Sequence, residues 1–363
     1  MARANKFYHG RRKGLRPLTI CIIVAVVLIL AVASVFHYFE RYLVYTPDGV
    51  SLEPPFLNKE TTASADGDDT QQSVDGTIVF DAPSYEDVQQ RDVSGLTALH
   101  ALYVPIDDVS DVGLTLAASN LSSIDADAML LQMKSANGHL AWASSVSMAE
   151  SYGASSTYDP SGSLAALKER GVYLAAEVCC CTDALMAERN LPLALKNADG
   201  SAYSDANGVW LDPLNSTVRD YLVSLCRELA EMGFDEIVLT GLAFPENADG
   251  VSYSQALSST PDAATAVSSL ASRLTAALSD VDVRISAECP SSAILSGTAA
   301  ASGQDPKLFF KLFDRVYAHT NGEASQCISA VAAYPIEGDA TVRFVFLSAY
   351  GLTEGSWVCT AES

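Results

Sequence analysis

Trp210-Leu211-Asp212-Pro213 opens the stretch on which the fold turns, and Gly233-Phe234-Asp235-Glu236-Ile237-Val238-Leu239, followed by Ala243-Phe244-Pro245, closes it. Between them, Asn215, Ser216 and Thr217 offer side chains that cap a helix N-terminus. Val218, Tyr221, Leu222, Leu225, Leu229 and Met232 then recur at helical spacing. Gly233 supplies the left-handed residue with which a helix commonly ends. A short apolar strand follows at once. A helix feeding a buried strand through so short a turn is half of a βα repeat, and such repeats build parallel sheets. In these folds the loop after the strand carries the chemistry.

Working outward, the same alternation runs from Leu96 to the end of the chain. Strand-like runs are Leu99–Val104, Ala128–Met133, Val172–Cys180, Glu236–Thr240, Val283–Ala287, Arg315–Ala318, Arg343–Leu347 and Trp357–Thr360. Helical runs are Leu114–Leu121, Ser163–Arg170, Val218–Met232, Ala263–Leu278, Pro306–Phe313 and Ser325–Tyr334. Eight strands mostly separated by helices predict an α/β protein of the (β/α)8 TIM-barrel type. Two irregularities are expected. No helix fits between the last two strands, and none follows the eighth. A doubly wound open sheet is the alternative, although the glycine-rich first turn of its nucleotide-binding version is missing.

The stretch from Trp210 to Pro245 also resembles a family: bacterial glycoside hydrolase-like barrels of unassigned activity, distant relatives of the α-amylase-like (β/α)8 enzymes. Their pattern is W-x-D-P, a helix, then G-F-D-E-I-x-x-D-x-x-R-F-P. This chain departs from it at Thr240, where the pattern has an acid, and at Ala243, where it has an arginine. Ser135 likewise stands where the resemblance implies an acid after Lys134, and Glu177 stands where it implies an arginine. The resemblance supports the barrel and weakens the inherited catalytic pattern.

Nearly half of the 363 residues are hydrophobic and only 18% are charged, so most of the chain can bury a core. Seven Lys or Arg and one acid lie up to Tyr45, leaving 15 basic against 43 acidic residues in the remainder. A body so acidic repels phosphate backbones, which excludes nucleic acid as the expected partner. Leu18–Phe36 is an apolar run of 19 residues, about 28 Å long as a helix and close to a bilayer's hydrocarbon thickness. Six basic residues precede it, which orients the N-terminus to the cytoplasm and the body outside the cell. The expected organisation is a cytoplasmic basic tail over 1–17, a transmembrane signal anchor over 18–38, a flexible acidic linker over 39–76 and the barrel over 77–363. A cleaved signal peptide ending near Ala31-Val32-Ala33 is the competing reading. Within the barrel region, Thr77–Phe80 and Tyr85–Arg91 read as a short leading strand and a helical turn.

The carboxyl ends of barrel strands line one mouth. The candidates there are Asp107 after strand one, Lys134 after strand two, and Glu177 and Asp183 from strand three and its loop. Glu246 lies beyond strand four, Glu288 ends strand five, and His319 ends strand six. Trp210, with Tyr103 and Trp142, offers aromatic faces for sugar rings, and Asp212 lies beside Trp210. Cleaving a glycosidic bond needs two carboxyl groups, one to protonate the leaving oxygen and one to act as nucleophile or base. Glu288 and Glu177 are the expected catalytic pair, with Glu288 best placed as general acid. Asp107, Lys134, Asp183, Trp210, Asp212, Glu246 and His319 are the expected substrate contacts. Asp212, before Pro213, equally suits a turn or a helix cap.

Eight cysteines show no metal-binding spacing and read as buried thiols, with bridges among Cys179–Cys181, Cys289, Cys327 and Cys359 an open alternative. No metal or other cofactor is expected. The motifs of esterases, P-loop NTPases and zinc proteases are missing. The expectation is therefore a membrane-anchored extracellular glycoside hydrolase-like protein acting on a cell-surface or environmental polysaccharide. The alternative is an inactive barrel that binds glycan as a cell-wall or adhesion module.

Overall fold

The computed structural model describes residues 88–254, 260–350 and 354–360, with the backbone alone of 43–46 and 49–52. The chain divides into two units, Met1–Gln71 and Gln72–Ser363. In the first, Leu43–Thr46 pairs antiparallel with Gly49–Leu52. These two strands fall within the span 39–76 read from the sequence as a flexible linker, and Leu43, Val44 and Tyr45 suit strands. The segment 18–38 expected to cross a membrane lies outside the described residues, as do the cytoplasmic tail, most of the linker and Thr77–Phe80. Among the described residues no helix is long and apolar enough to cross a membrane.

The second unit holds a closed barrel of eight parallel strands. They are β1 (His100–Val104), β2 (Ala128–Lys134), β3 (Tyr173–Cys179), β4 (Glu236–Thr240), β5 (Arg284–Glu288), β6 (Val316–His319), β7 (Phe344–Ser348) and β8 (Ser356–Cys359). Each pairs with the next in parallel, and β8 pairs with β1 through Trp357 and His100 to close the cylinder. Closure excludes the open doubly wound sheet. The longer helices between strands are α1 (Asp111–Asn120), α2 (Ser161–Glu169), α3 (Ser216–Glu231), α4 (Ala263–Ala277), α5 (Pro306–Leu312) and α6 (Ala324–Ala332), with short ones at Ser147–Ser151, Ala184–Arg189, Ser291–Ser296 and Ala340–Arg343. Among the described residues no helix joins β7 to β8. The helical turn expected at Tyr85–Arg91 is not helical over its described part, 88–91.

Side chains alternate along the strands, so one set faces the helices and the other fills the barrel. Leu174, Ala176 and Val178 of β3 join the main core under the helices, while Ala175 joins Leu130, Val238, Val345 and Val358 inside the cylinder. Helix α3 shows how the outer layer forms. The Asn215 side chain accepts a hydrogen bond from the Thr217 N–H, Leu222, Leu225 and Leu229 are fully buried, and Gly233 turns the chain at φ 93°. Burying each of those leucines contributes roughly 1.5–3 kcal/mol.

The barrel's base is polar. Glu236 accepts from the hydroxyls of Tyr173 and Tyr317, each at 2.9 Å, and pairs with Arg315, which also donates to the Thr97 carbonyl. Glu236 and Arg315 are buried. Two carboxylate oxygens, two phenols and the guanidinium's terminal nitrogens pair there, leaving only the Arg315 Nε without a hydrogen-bond partner, and such pairing is the condition for tolerating charge in a barrel interior.

Candidate active site

At the opposite end of the cylinder, the inward residues of the strand ends open onto a cavity of about 550 Å³. Its wall includes Tyr103 of β1, Gln132 of β2, Glu177 of β3, Thr240 of β4, Glu288 of β5 and His319 of β6. Register explains the grouping. Glu177 lies opposite Gln132 on one side and Val238 on the other, and Glu288 lies opposite Tyr317. Six neighbouring strands thus each bring one polar side chain to one mouth.

Glu177 is the deeper carboxyl, 8% exposed. Gln132 Nε2 donates to its Oε1 at 3.2 Å, and the hydroxyls of Tyr103 and Thr240 approach the same group. Burial pushes its pKa up to about 7, against those donors, and the negative charge of Glu288 adds to the rise. Glu288 is more open, with 28% of its side chain exposed. Its pKa is also raised by burial, while two groups act to lower it: His319, with Nε2 3.7 Å from Oε1, and the backbone N–H of Gly241. Gly241 takes φ 56°, and a Cβ there would come within 3.1 Å of the Cys179 sulfur. Both the turn and the close approach therefore call for glycine.

The cavity brings together five of the nine expected site residues: Glu177, Glu288, Trp210, Glu246 and His319. The other four are placed elsewhere. Lys134 is fully buried, its Nζ 2.9 Å from Asp183 Oδ2 and donating to the Cys179 carbonyl. Burial, the largest single influence, opposes its charge, but Asp183 together with Cys179 and Tyr221 holds its pKa above the ordinary lysine value. Asp183 also caps the short helix Ala184–Arg189 through the Met186 N–H. The pair is therefore a brace behind the β3 loop, buried away from the cavity wall.

Asp212 is equally buried, accepting from Leu214 N–H and from the N–H and hydroxyl of Ser254. It fixes the turn after Trp210. Asp107 is exposed on the turn after β1, away from the cavity wall. Trp142 is core, its indole N–H donating to Glu228, and so presents no face to the mouth. The seven described cysteines are free and buried, and no bridge forms among them. Among the described residues no cluster of His, Cys, Asp and Glu could hold a metal ion.

Sequence reading missed Gln132, Ser302, Gln304 and Asn207, which also line the cavity. Gln132 had a signal: it is the one amide in the apolar strand Ala-Met-Leu-Leu-Gln-Met-Lys. Ser302 and Gln304 had none, because they come from the loop between Ser296 and α5 and meet the mouth only through folding.

The brace makes a prediction. Gly138 takes φ 91°, and a Cβ there would lie 2.1 Å from Asp183 Oδ1. Gly138→Ala should cost about 1–3 kcal/mol for the backbone alone, more as Asp183 is displaced from Lys134. Chemical denaturation reads the loss, and an unchanged midpoint would show that the brace yields freely.

The profile of one family matches residues 101–317, and its description is "Putative glycosyl hydrolase domain". That span is more than half the chain, which therefore belongs to this glycosyl hydrolase-like domain family. No curated protein matches. Among solved structures, a hypothetical protein from Ruminiclostridium thermocellum is 23% identical with TM-score 0.46, over 51% of this chain and 96% of that one. The PgaB (BpsB) glycoside hydrolase domain from Bordetella bronchiseptica is 14% identical with TM-score 0.46, over 69% and 84%. The spore cortex-lytic enzyme SleL from Bacillus megaterium is 13% identical with TM-score 0.42, over 69% and 50%. The barrel of this chain is established by its own strand pairing.

Proposed function

We propose that the protein is a glycoside hydrolase that cleaves a neutral or amino-sugar polysaccharide outside the cell, tethered to the membrane by residues 18–38. The observation that carries this reading is one cavity holding two carboxyl groups in unlike surroundings. Two titratable groups whose environments differ are the usual source of an acid and a base in one site. The roles are the reverse of the sequence expectation. Glu177, buried and protonated up to about pH 7, suits the general acid that protonates the leaving oxygen. Glu288, more open and facing His319 and the Gly241 N–H, suits the carboxylate that attacks the anomeric carbon or activates water. Trp210 and Phe244 also line the wall, though both are largely buried in the core.

Incubating the full-length protein with a panel of polysaccharides and measuring reducing ends tests the reading. Release that disappears in Glu288→Gln is the expected outcome, and undiminished release would remove that residue from the mechanism. A second reading rests on Thr240, whose hydroxyl reaches Glu177 from the position where the family pattern carries an acid. On that reading the barrel binds glycan without cutting it, and binding on a glycan array with no turnover of any ligand is its signature. The tether is tested separately. Membrane fractionation should find the chain in the membrane with its C-terminal unit open to external protease, and deleting 1–38 should release it.

A further inference from the structure

The reading of the cavity as a hydrolase site leaves open why one carboxyl rather than the other keeps the proton. We infer that His319 is the positioning residue that decides this, holding Glu288 as the carboxylate so that Glu177 carries the proton. The inference rests on where the strands put these groups. Glu288 ends β5 and His319 ends β6, adjacent strands whose last pairing is Glu288 opposite Tyr317. This leaves the imidazole two residues further up the barrel, at the mouth. Its Nε2 stands 3.7 Å from Glu288 Oε1.

Tyr317 lies opposite Glu288 in register, and Glu246 is a further acid in the cavity wall. Glu177 of β3 repels Glu288, and Tyr103 of β1 is polar and neutral. The N–H after β4 comes from Gly241, and the Cys289 thiol next in sequence is kept neutral by burial. The Gln304 amide reaches only the Glu288 backbone carbonyl, at 3.5 Å. Among the described residues no lysine or arginine lines the cavity, and Lys134 and Arg315 are committed to Asp183 and Glu236. Among the described residues of the cavity wall, His319 is therefore the one side chain able to place positive charge beside either carboxyl, and it stands beside Glu288. Histidine is also the side chain whose charge responds between about pH 5 and 8. The His319 side chain is 69% exposed.

The sign follows. An imidazolium favours the ionised form of Glu288, so removing it should move Glu288 titration to higher pH. Glu177, then facing a less charged neighbour, should move to lower pH. Carbon-13 carboxyl spectra of the glutamate-labelled full-length protein read both groups, with Glu288→Gln and Glu177→Gln assigning the signals. In His319→Gln the two midpoints should approach each other at about 0.05 M salt. At about 0.5 M salt the difference from the native protein should shrink, because an exposed pair is screened. His319→Lys should restore the native separation. Superimposable titrations of the native protein and His319→Gln at low salt would overturn the inference.

Exposure of the imidazole keeps these variants folded. The spectra need no turnover, so a barrel that proved inactive would sink the hydrolase reading without touching this one. Where turnover is found, kcat/KM of His319→Gln should fall about two- to fivefold at pH 5, the range an exposed ion pair commands, and recover in His319→Lys. An unchanged value at pH 5 would count against the inference.

Discussion

Glu177→Gln is expected to lower hydrolysis by about 10²–10⁴-fold, the usual worth of a general acid, while making the folded protein more stable at pH 8. The two effects share one cause. Burial raises the Glu177 pKa from an ordinary 4.5 to about 7, so the native state holds a proton that the unfolded chain releases. Between about pH 4.5 and 7 the unfolded state binds fewer protons. Stability contributed by this group is therefore full below pH 4.5 and is lost as pH rises through 7. Above that, the buried carboxylate costs roughly 3 kcal/mol by the size of the shift.

Glutamine keeps an oxygen for Gln132, Tyr103 and Thr240 but cannot ionise. It should therefore raise Tm at pH 8 by about 5–10 °C and change it little at pH 4. Differential scanning calorimetry at the two pH values, beside the reducing-end assay, reads both effects. A variant equally stable at both pH values, or less stable at pH 8, would show that Glu177 carries no stored cost. A mouth built only for structure would have no reason to keep such a group.

The second large effect lies at the other end of the cylinder. Arg315→Met should destabilise the protein by about 3–5 kcal/mol, because it leaves Glu236 ionised and buried without its cation. The tyrosine hydroxyls alone cannot neutralise it. In a domain of this size that loss lowers Tm by about 10 °C. Adding Glu236→Gln should return much of the stability, since an uncharged amide can still accept from Tyr173 and Tyr317. Urea titration of both single variants and the pair completes the cycle. Additive losses would mean that Arg315 and Glu236 do not act together in the native state. Reducing-end release by the pair variant reports on the mouth as well, because Tyr317, which donates to Glu236, also lines the cavity opposite Glu288.

The residues that alternate in type were the ones readable in the linear chain. Each of the eight strands lies within one or two residues of its expected place, since an apolar run flanked by a capped helix and a glycine constrains the backbone locally. Thr240 as a departure from the family pattern, and Glu177 and Glu288 as candidates, were equally accessible, because strand ends can be counted. The short helices Ser147–Ser151, Ala184–Arg189 and Ser291–Ser296 were not foreseen: five or six residues carry too little periodicity to stand out from a loop.

What the sequence determined by itself was the order of elements and hence the barrel, because hydrophobic periodicity acts between near neighbours. Only the tertiary structure decided which polar residues face one another. Lys134 and Asp183 look like site residues from their position after strand ends, yet they close on each other behind the wall, because a buried cation is stable only beside an anion. Glu177 and Glu288, more than a hundred positions apart, meet because β3, β4 and β5 pair in turn around a closed cylinder. Their division of labour comes from depth and from the neighbouring imidazole, and neither is a property of the residues in line.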